Sequence, residues 1–158
     1  MFATKKGLVK KTHTHGRVYV FKFTLDNGTI LHKVGMCHSS RSIDRMFEVL
    51  RGFFTVFRYS PKCELRKDKK VLVPHLVEKH LHYLLEEMSY SFDKKFDGST
   101  EFFSDIDEEA LLDYLDTFQY IDLLEGKTKM KSTDLTTIYA VIDSEKPEKE
   151  KDLDVIPF

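Results

Sequence analysis

The sequence predicts a small α/β domain: a central, mostly antiparallel, three-stranded sheet flanked by helices. Two runs of alternating apolar and polar residues, 18–24 and 29–34, flank Asp26-Asn27-Gly28 and read as a β-hairpin. Segments with apolar residues at helical spacing follow it. A length of 158 residues with 41% hydrophobic content suits a single domain that buries its own core.

Before the hairpin, residues 1–16 carry Lys5, Lys6, Lys10 and Lys11 with His13 and His15, and read as a flexible basic arm suited to lie along nucleic acid. Alternate residues of a strand share a face, so His13 and His15 suggest a metal pair. No second Cys or His pair at ligand spacing completes a zinc site. After the hairpin, Ser39 or Ser40 is placed to cap a helix whose buried face is Ile43, Met46, Phe47 and Leu50. Arg41, Arg45 and Arg51 are left for another face.

Gly52 is expected to break that helix, and residues 54–65 to form a third strand bent around Pro61. Arg51, Arg58, Lys62, Arg66 and Lys67 form a basic cluster interleaved with Phe53, Phe54, Phe57 and Tyr59. Most of the phenylalanines read as core; the basic residues, with Arg41, are candidate phosphate contacts. Pro74 then starts a helix with a stripe of Val77, Leu81, Leu84, Leu85 and Met88. Glu78 falls at the edge of this stripe, where a carboxylate near the core can face a cleft and hold a hard divalent cation. Its plain alternative is a surface glutamate. His82, four residues on, shares the face of Glu78, whereas His80 does not.

Asp97-Gly98 marks a turn before a short strand containing Phe102 and Phe103, and Glu101 precedes that strand as either a sheet-edge acceptor or a second site acid. Asp105 or Asp107 caps a helix running to about Phe118, with Leu111, Leu112 and Leu115 inward. Residues 119–158 read as an extension: Gly126 ends a segment, 136–142 forms a strand, and the acidic tail containing SEKPEKEKDLD is charged enough for disorder. A protein partner, if there is one, is expected on this extension.

The net charge of −1 hides an asymmetry. Residues 1–89 hold 17 Lys or Arg against 8 Asp or Glu, and residues 90–158 hold 8 against 18. A basic first half suits a phosphate-backbone binder. No apolar run has the length of a membrane span and no signal-peptide pattern opens the chain, so a cytoplasmic protein with free thiols at Cys37 and Cys63 is expected, away from membranes.

Val18-Tyr19 on the first strand, Lys33-Val34-Gly35 on the second, Arg45 on the helix, Glu78 in LVEKHLHYLL and the segment GSTEFF follow in an order that resembles a GIY-YIG nuclease domain over residues 17–118. Lysine in the second motif is similar to the KIG branch common in phages and fungi. The resemblance implies a metal-dependent endonuclease that hydrolyses phosphodiester bonds in DNA, with RNA as an open alternative. It further implies that Glu78 holds Mg²⁺ or Mn²⁺, Tyr19 takes the proton of the attacking water, and Arg45 binds the scissile phosphate with Arg41 as its competitor. Lys33 would sit beside Tyr19 and lower its pKa, because a free tyrosine near 10 is a poor base at neutral pH. His82 and Glu101 are the helpers in this scheme. The chain shows no zinc finger or helix-turn-helix, so low-specificity or structure-directed cleavage is expected. A catalytically silent module of the same fold, binding nucleic acid or a protein, is the rival.

Overall fold

A computed structural model describes residues 15–38, 40–125 and 130–145. The chain divides into two compact units, Thr14–Phe118 and a second comprising Met1–His13 and Gln119–Phe158. The larger unit is α/β and holds five strands, two more than expected. They are β1 (His15–Thr24), β2 (Ile30–His38), β3 (Lys62–Leu72), β4 (Ser89–Tyr90) and β5 (Phe102–Ser104), in the order β3-β1-β2-β5-β4 with every neighbouring pair antiparallel. Of the two strands added to the expected sheet, β5 is the short strand expected at Phe102 and Phe103, and β4, two residues long, is too short to leave a period in the sequence.

β1 is an interior strand, between β3 and β2. Val18, Tyr19, Val20 and Phe21 are all fully buried, as expected of a strand covered on both faces. The hairpin to β2 closes where predicted, with Leu25 N donating to Thr29 O at 2.9 Å and Thr29 N to Asn27 Oδ1 at 2.9 Å. His15 and Gly16 already belong to β1, so the strand begins inside the expected arm; the rest of the arm, with His13, lies outside the described residues.

Helix α1 (Ser42–Phe57) departs from expectation in three ways. Its N-cap position is Arg41, without a side-chain cap, and the nearby serine hydroxyl that is buried, Ser42 Oγ, instead donates to Asp68 Oδ1 at 2.7 Å. The helix also continues through Gly52, where a Cβ would stand 2.6 Å from the Asp97 carbonyl oxygen. Glycine there serves a close crossing of the 96–98 loop over the helix, and the third strand starts only at Lys62. Finally, the inward face is Ser42, Val49 and Phe53, with Met46 and Leu50 packed at its margin, while Ile43 and Phe47 face outward.

Phe53, Phe57, Phe92, Phe96 and Phe102 form a cluster of mostly edge-on rings continuous with Phe23. Helix α2 (Pro74–Leu84) starts at its proline as expected, buries Leu76, Val77 and Leu81, and follows Val73, a β-branched residue held at φ 49°. Leu84 is exposed, and a 3₁₀ turn at Glu86–Met88 ends the stripe. Helix α3 (Glu108–Thr117) is capped by Asp107, whose side chain accepts from Ala110 N at 3.1 Å.

In the smaller unit, α4 (Ile121–Glu125) and α5 (Ser132–Ser144) are described. The strand expected at 136–142 is therefore helical. Thr136 and Thr137 donate their hydroxyls to the carbonyls of Ser132 and Thr133 at 3.0 and 2.9 Å, so β-branched residues that read as strand are satisfied within the helix. The expected segment end at Gly126 and the charged tail from Lys146 lie outside the described residues.

Candidate active site

β2 supplies the frame of the site through one residue. Val34 O accepts from His82 Nε2 at 2.7 Å, and Val34 N donates to Glu101 O at 3.2 Å. A strand residue thus ties together the α2 helix and the segment leading into β5. A carbonyl oxygen only accepts, so Nε2 of His82 carries the proton and Nδ1 keeps a free lone pair.

Glu78, one turn before His82 on α2, completes a cluster with Glu101. The ligand atoms of Glu78, His82 and Glu101 all lie within 4.8 Å of one another. Two carboxylates and an imidazole at that spacing fit a divalent cation. Burial, and then the charge of Glu101, push the Glu78 pKa up to about 7; Lys33, Arg45 and the Met36 backbone N–H oppose them. Glu101 has a positive φ of 70°, a strained conformation for a side-chain-bearing residue, fixed by its links to β2.

Lys33 does not take the place the resemblance implies. Its side chain is buried, and its ammonium donates to Gly98 O at 3.0 Å, Thr100 O at 2.8 Å and Glu101 Oε2 at 3.3 Å. Those three bonds use all three of its donors. Burial pulls its pKa below the ordinary value, against the pull of Glu101. Lys33 therefore anchors the 98–101 segment and the Glu101 carboxylate, and the cation that acts on Tyr19 is Arg45.

Tyr19 is fully buried, stacked on Phe21 with ring centroids 4.2 Å apart. Its ring lies across Gly35, its partner on β2, where a Cβ would come within 2.6 Å of Cζ. That contact accounts for the glycine of the second motif. Burial pushes the Tyr19 pKa up to about 12; Arg45 pulls it down, and Glu101 and Glu78 add to the rise. Among the described residues no partner of good hydrogen-bond geometry reaches Tyr19 Oη or Arg45 Nε, both buried, and the side chain that comes nearest to bonding the phenol is Arg45 itself. Buried polar atoms are rarely left so, and these two flank the acidic cluster.

One signal absent from the sequence reading is Glu48. It accepts from Arg41 Nη2 at 2.8 Å and from Arg45 Nη1 at 2.9 Å, holding both helix arginines on one carboxylate. Its position three residues after Arg45 and seven after Arg41 makes it findable on a helical wheel. The other basic candidates are scattered. Arg51, Arg58 and Lys62 are exposed, the last paired with Glu64. Arg66 is the extra residue of a β-bulge, because Val20 faces Lys67 and Phe21 faces Leu65. It pairs with Glu108 and Glu64, and Lys67 pairs with Asp116, so these two fasten β3 to α3.

Residues 16–119, about two thirds of the chain, match the T5orf172 domain. The chain belongs to the T5orf172 domain family. T5orf172 domains are a family of nuclease-like, DNA-binding modules. No curated protein and no solved structure matches the chain. The T5orf172 match covers every residue of the acidic cluster together with Tyr19, Arg45 and Glu48, and ends two residues before the start of α4. Among the described residues no helix is long and apolar enough to cross a membrane.

Proposed function

We propose that this T5orf172 domain is a divalent-metal-dependent endonuclease that hydrolyses phosphodiester bonds in DNA, with little sequence preference or with a preference for structure. The observation that carries the proposal is the convergence of Glu78, His82 and Glu101 beside the buried Tyr19 hydroxyl and the Arg45 side chain. The resemblance to the KIG branch of GIY-YIG nucleases supports the same assignment.

In this reading Glu78 and Glu101 hold Mg²⁺ or Mn²⁺, and Nδ1 of His82, a nitrogen donor, tilts the choice toward Mn²⁺. The ion would supply positive charge to the scissile phosphate and acidify water. Arg45 binds a non-bridging phosphate oxygen, for which it exchanges its contact with Glu48. Tyr19 takes the proton of the attacking water. Two of the influences that raise its pKa are the charges of Glu78 and Glu101, so neutralising those carboxylates brings the phenol closer to a working base. Lys33 keeps Glu101 in place throughout.

Supercoiled plasmid incubated with the protein and Mn²⁺ or Mg²⁺ is expected to become nicked, and Tyr19→Phe and Glu78→Gln are expected to abolish nicking while binding persists. Binding without nicking under either ion favours the catalytically silent module. Nicking that survives Glu78→Gln shifts the metal assignment to Glu101.

A further inference from the structure

The apolar stripe that the sequence assigns to the buried side of α1 is on its outer side. Ile43, Phe47 and Phe54 are 46%, 55% and 49% exposed, and Leu50 lies between them at the same spacing, i, i+4, i+7 and i+11. Residues so spaced form one continuous band along a helix. This band lies away from Val49 and Phe53, which face the core. A band that leaves Ile43, Phe47 and Phe54 to solvent, with half-buried Leu50 at its inner edge, marks a contact surface.

We propose that this face of α1 is the interface between two copies of the chain, packed antiparallel about a twofold axis between Phe47 and Leu50. The band is nearly symmetric about that point: Ile43 meets the partner's Phe54, and Phe47 meets the partner's Leu50. The flanking charges repeat the symmetry. Asp44 and Arg51, seven residues apart, lie on the same side of the band, and the antiparallel arrangement brings each Asp44 alongside the partner's Arg51, twice over. Within one copy Asp44 has only Arg41, at 3.8 Å, and Arg51 has no ion-pair partner among the described residues. A surface that carries an acid toward one end and a free base toward the other fits its own reversed copy.

Nucleic acid fits the same face less well. Ile43 and Leu50 offer nothing to a base or a phosphate, Asp44 repels phosphate, and Arg45 faces the other side of the helix. Paired copies would carry two candidate sites, as a two-strand break requires; that consequence rests on the endonuclease reading, but the pairing itself does not.

Sedimentation of the intact chain without nucleic acid over a rising concentration series tests the pairing separately from any activity. A reversible monomer–dimer equilibrium is expected. Phe47→Glu with Phe54→Glu should give monomer at every concentration with an unchanged far-UV circular dichroism spectrum, as befits exposed positions. Asp44→Arg alone should weaken the dimer by about tenfold or more, and adding Arg51→Asp should restore it. A wild-type chain that stays monomeric, or a dimer indifferent to both sets of changes, overturns the proposal. So does a monomer whose Phe47 and Phe54 changes reduce binding to a single-stranded oligonucleotide, which assigns the face to base stacking instead.

Discussion

The larger unit contains two clusters of similar make-up in different electrostatic states: His32, Glu108 and Glu64 with Arg66, and His82, Glu78 and Glu101 with Lys33 and Arg45. In the first, Glu108 Oε1 accepts from His32 Nε2 and Arg66 Nε, both at 3.0 Å, and Oε2 accepts from Arg66 Nη2 at 2.9 Å. Burial works against its charge, yet Arg66 and His32 hold its pKa below the ordinary carboxylate value. In the second, burial first and then the neighbouring Glu101 carboxylate push the Glu78 pKa up to about 7. The first cluster cancels its own charge and fastens α3 to the sheet. In the second Lys33 pairs with Glu101, but Glu78 has no ion-pair partner among the described residues, and a buried carboxyl so perturbed beside a second acid is a candidate cation ligand.

Exchanging the two glutamates for glutamine separates these roles most sharply. Glu78→Gln should lower nicking on the order of 100-fold while leaving the melting temperature unchanged or higher, because it relieves a buried acid pair. Glu108→Gln should keep nicking within about threefold and lower the melting temperature by a few degrees, because it replaces one of the two oxygens that accept from His32 and Arg66 with a donor and removes the charge. Plasmid assays and thermal melts on the same preparations decide the matter. Equal effects of the two changes on both readouts would show that the clusters do not differ in kind.

Gly35→Ala probes the active side of the comparison from the backbone. The new methyl group meets the Tyr19 ring, which is pinned by Phe21 on its other side, so either the ring tilts or the β1–β2 pairing opens. Overpacking of this kind costs about 1–3 kcal/mol. A melt should show that loss together with a roughly tenfold fall in kcat, since displacing a proton acceptor by an ångström is enough to slow the reaction. A Gly35→Ala protein with normal kcat would remove Tyr19 from the reaction.

Where the sequence was readable, a local period carried the signal. The hairpin around Asp26-Asn27-Gly28, the start of α2 at Pro74 and the Asp107 cap stand where propensity places them. The short strand β5 was legible after Asp97-Gly98, but not its pairing with β2 and β4 beside a 96–100 loop held by the close approach at Gly52 and the bonds from Lys33 to Gly98 and Thr100, for no period records such long-range contacts. The same holds in the site. Glu78 and His82 share a helix face and could be paired from spacing alone, whereas Glu101 joins them across 23 residues through Val34. The bonds of Lys33 to the carbonyls of Gly98 and Thr100 were not legible either, because a residue's place on a strand does not say which distant loop receives its side chain. The exposed band on α1 was legible as a period but not as a direction, for nothing in the spacing says which side meets the sheet.

The smallest effect is in the pH dependence of stability, where the two clusters should pull in opposite directions. Glu78 in the folded chain keeps its proton up to about 7, against an ordinary value of 4.5. Between those two values the folded chain binds more protons than the unfolded one, so stability falls as pH rises through that window and is level above it. Glu108 has a lowered pKa when folded, so the stability it contributes is complete above 4.5 and is lost as pH falls through its folded value. The metal-free protein should therefore melt highest near pH 4.5–5, with a decline of a few degrees toward pH 7. Glu78→Gln should remove the decline on the alkaline side and leave the acid side intact, while Glu108→Gln should do the reverse. Adding Mn²⁺ should oppose the alkaline decline in the wild type, because deprotonated Glu78 is the form that accepts the cation, and should have little effect in Glu78→Gln. A melting profile whose alkaline side is unmoved by Glu78→Gln would mean that this carboxylate is already ionised in the folded chain, and the contrast between the clusters would reduce to a difference in pairing alone.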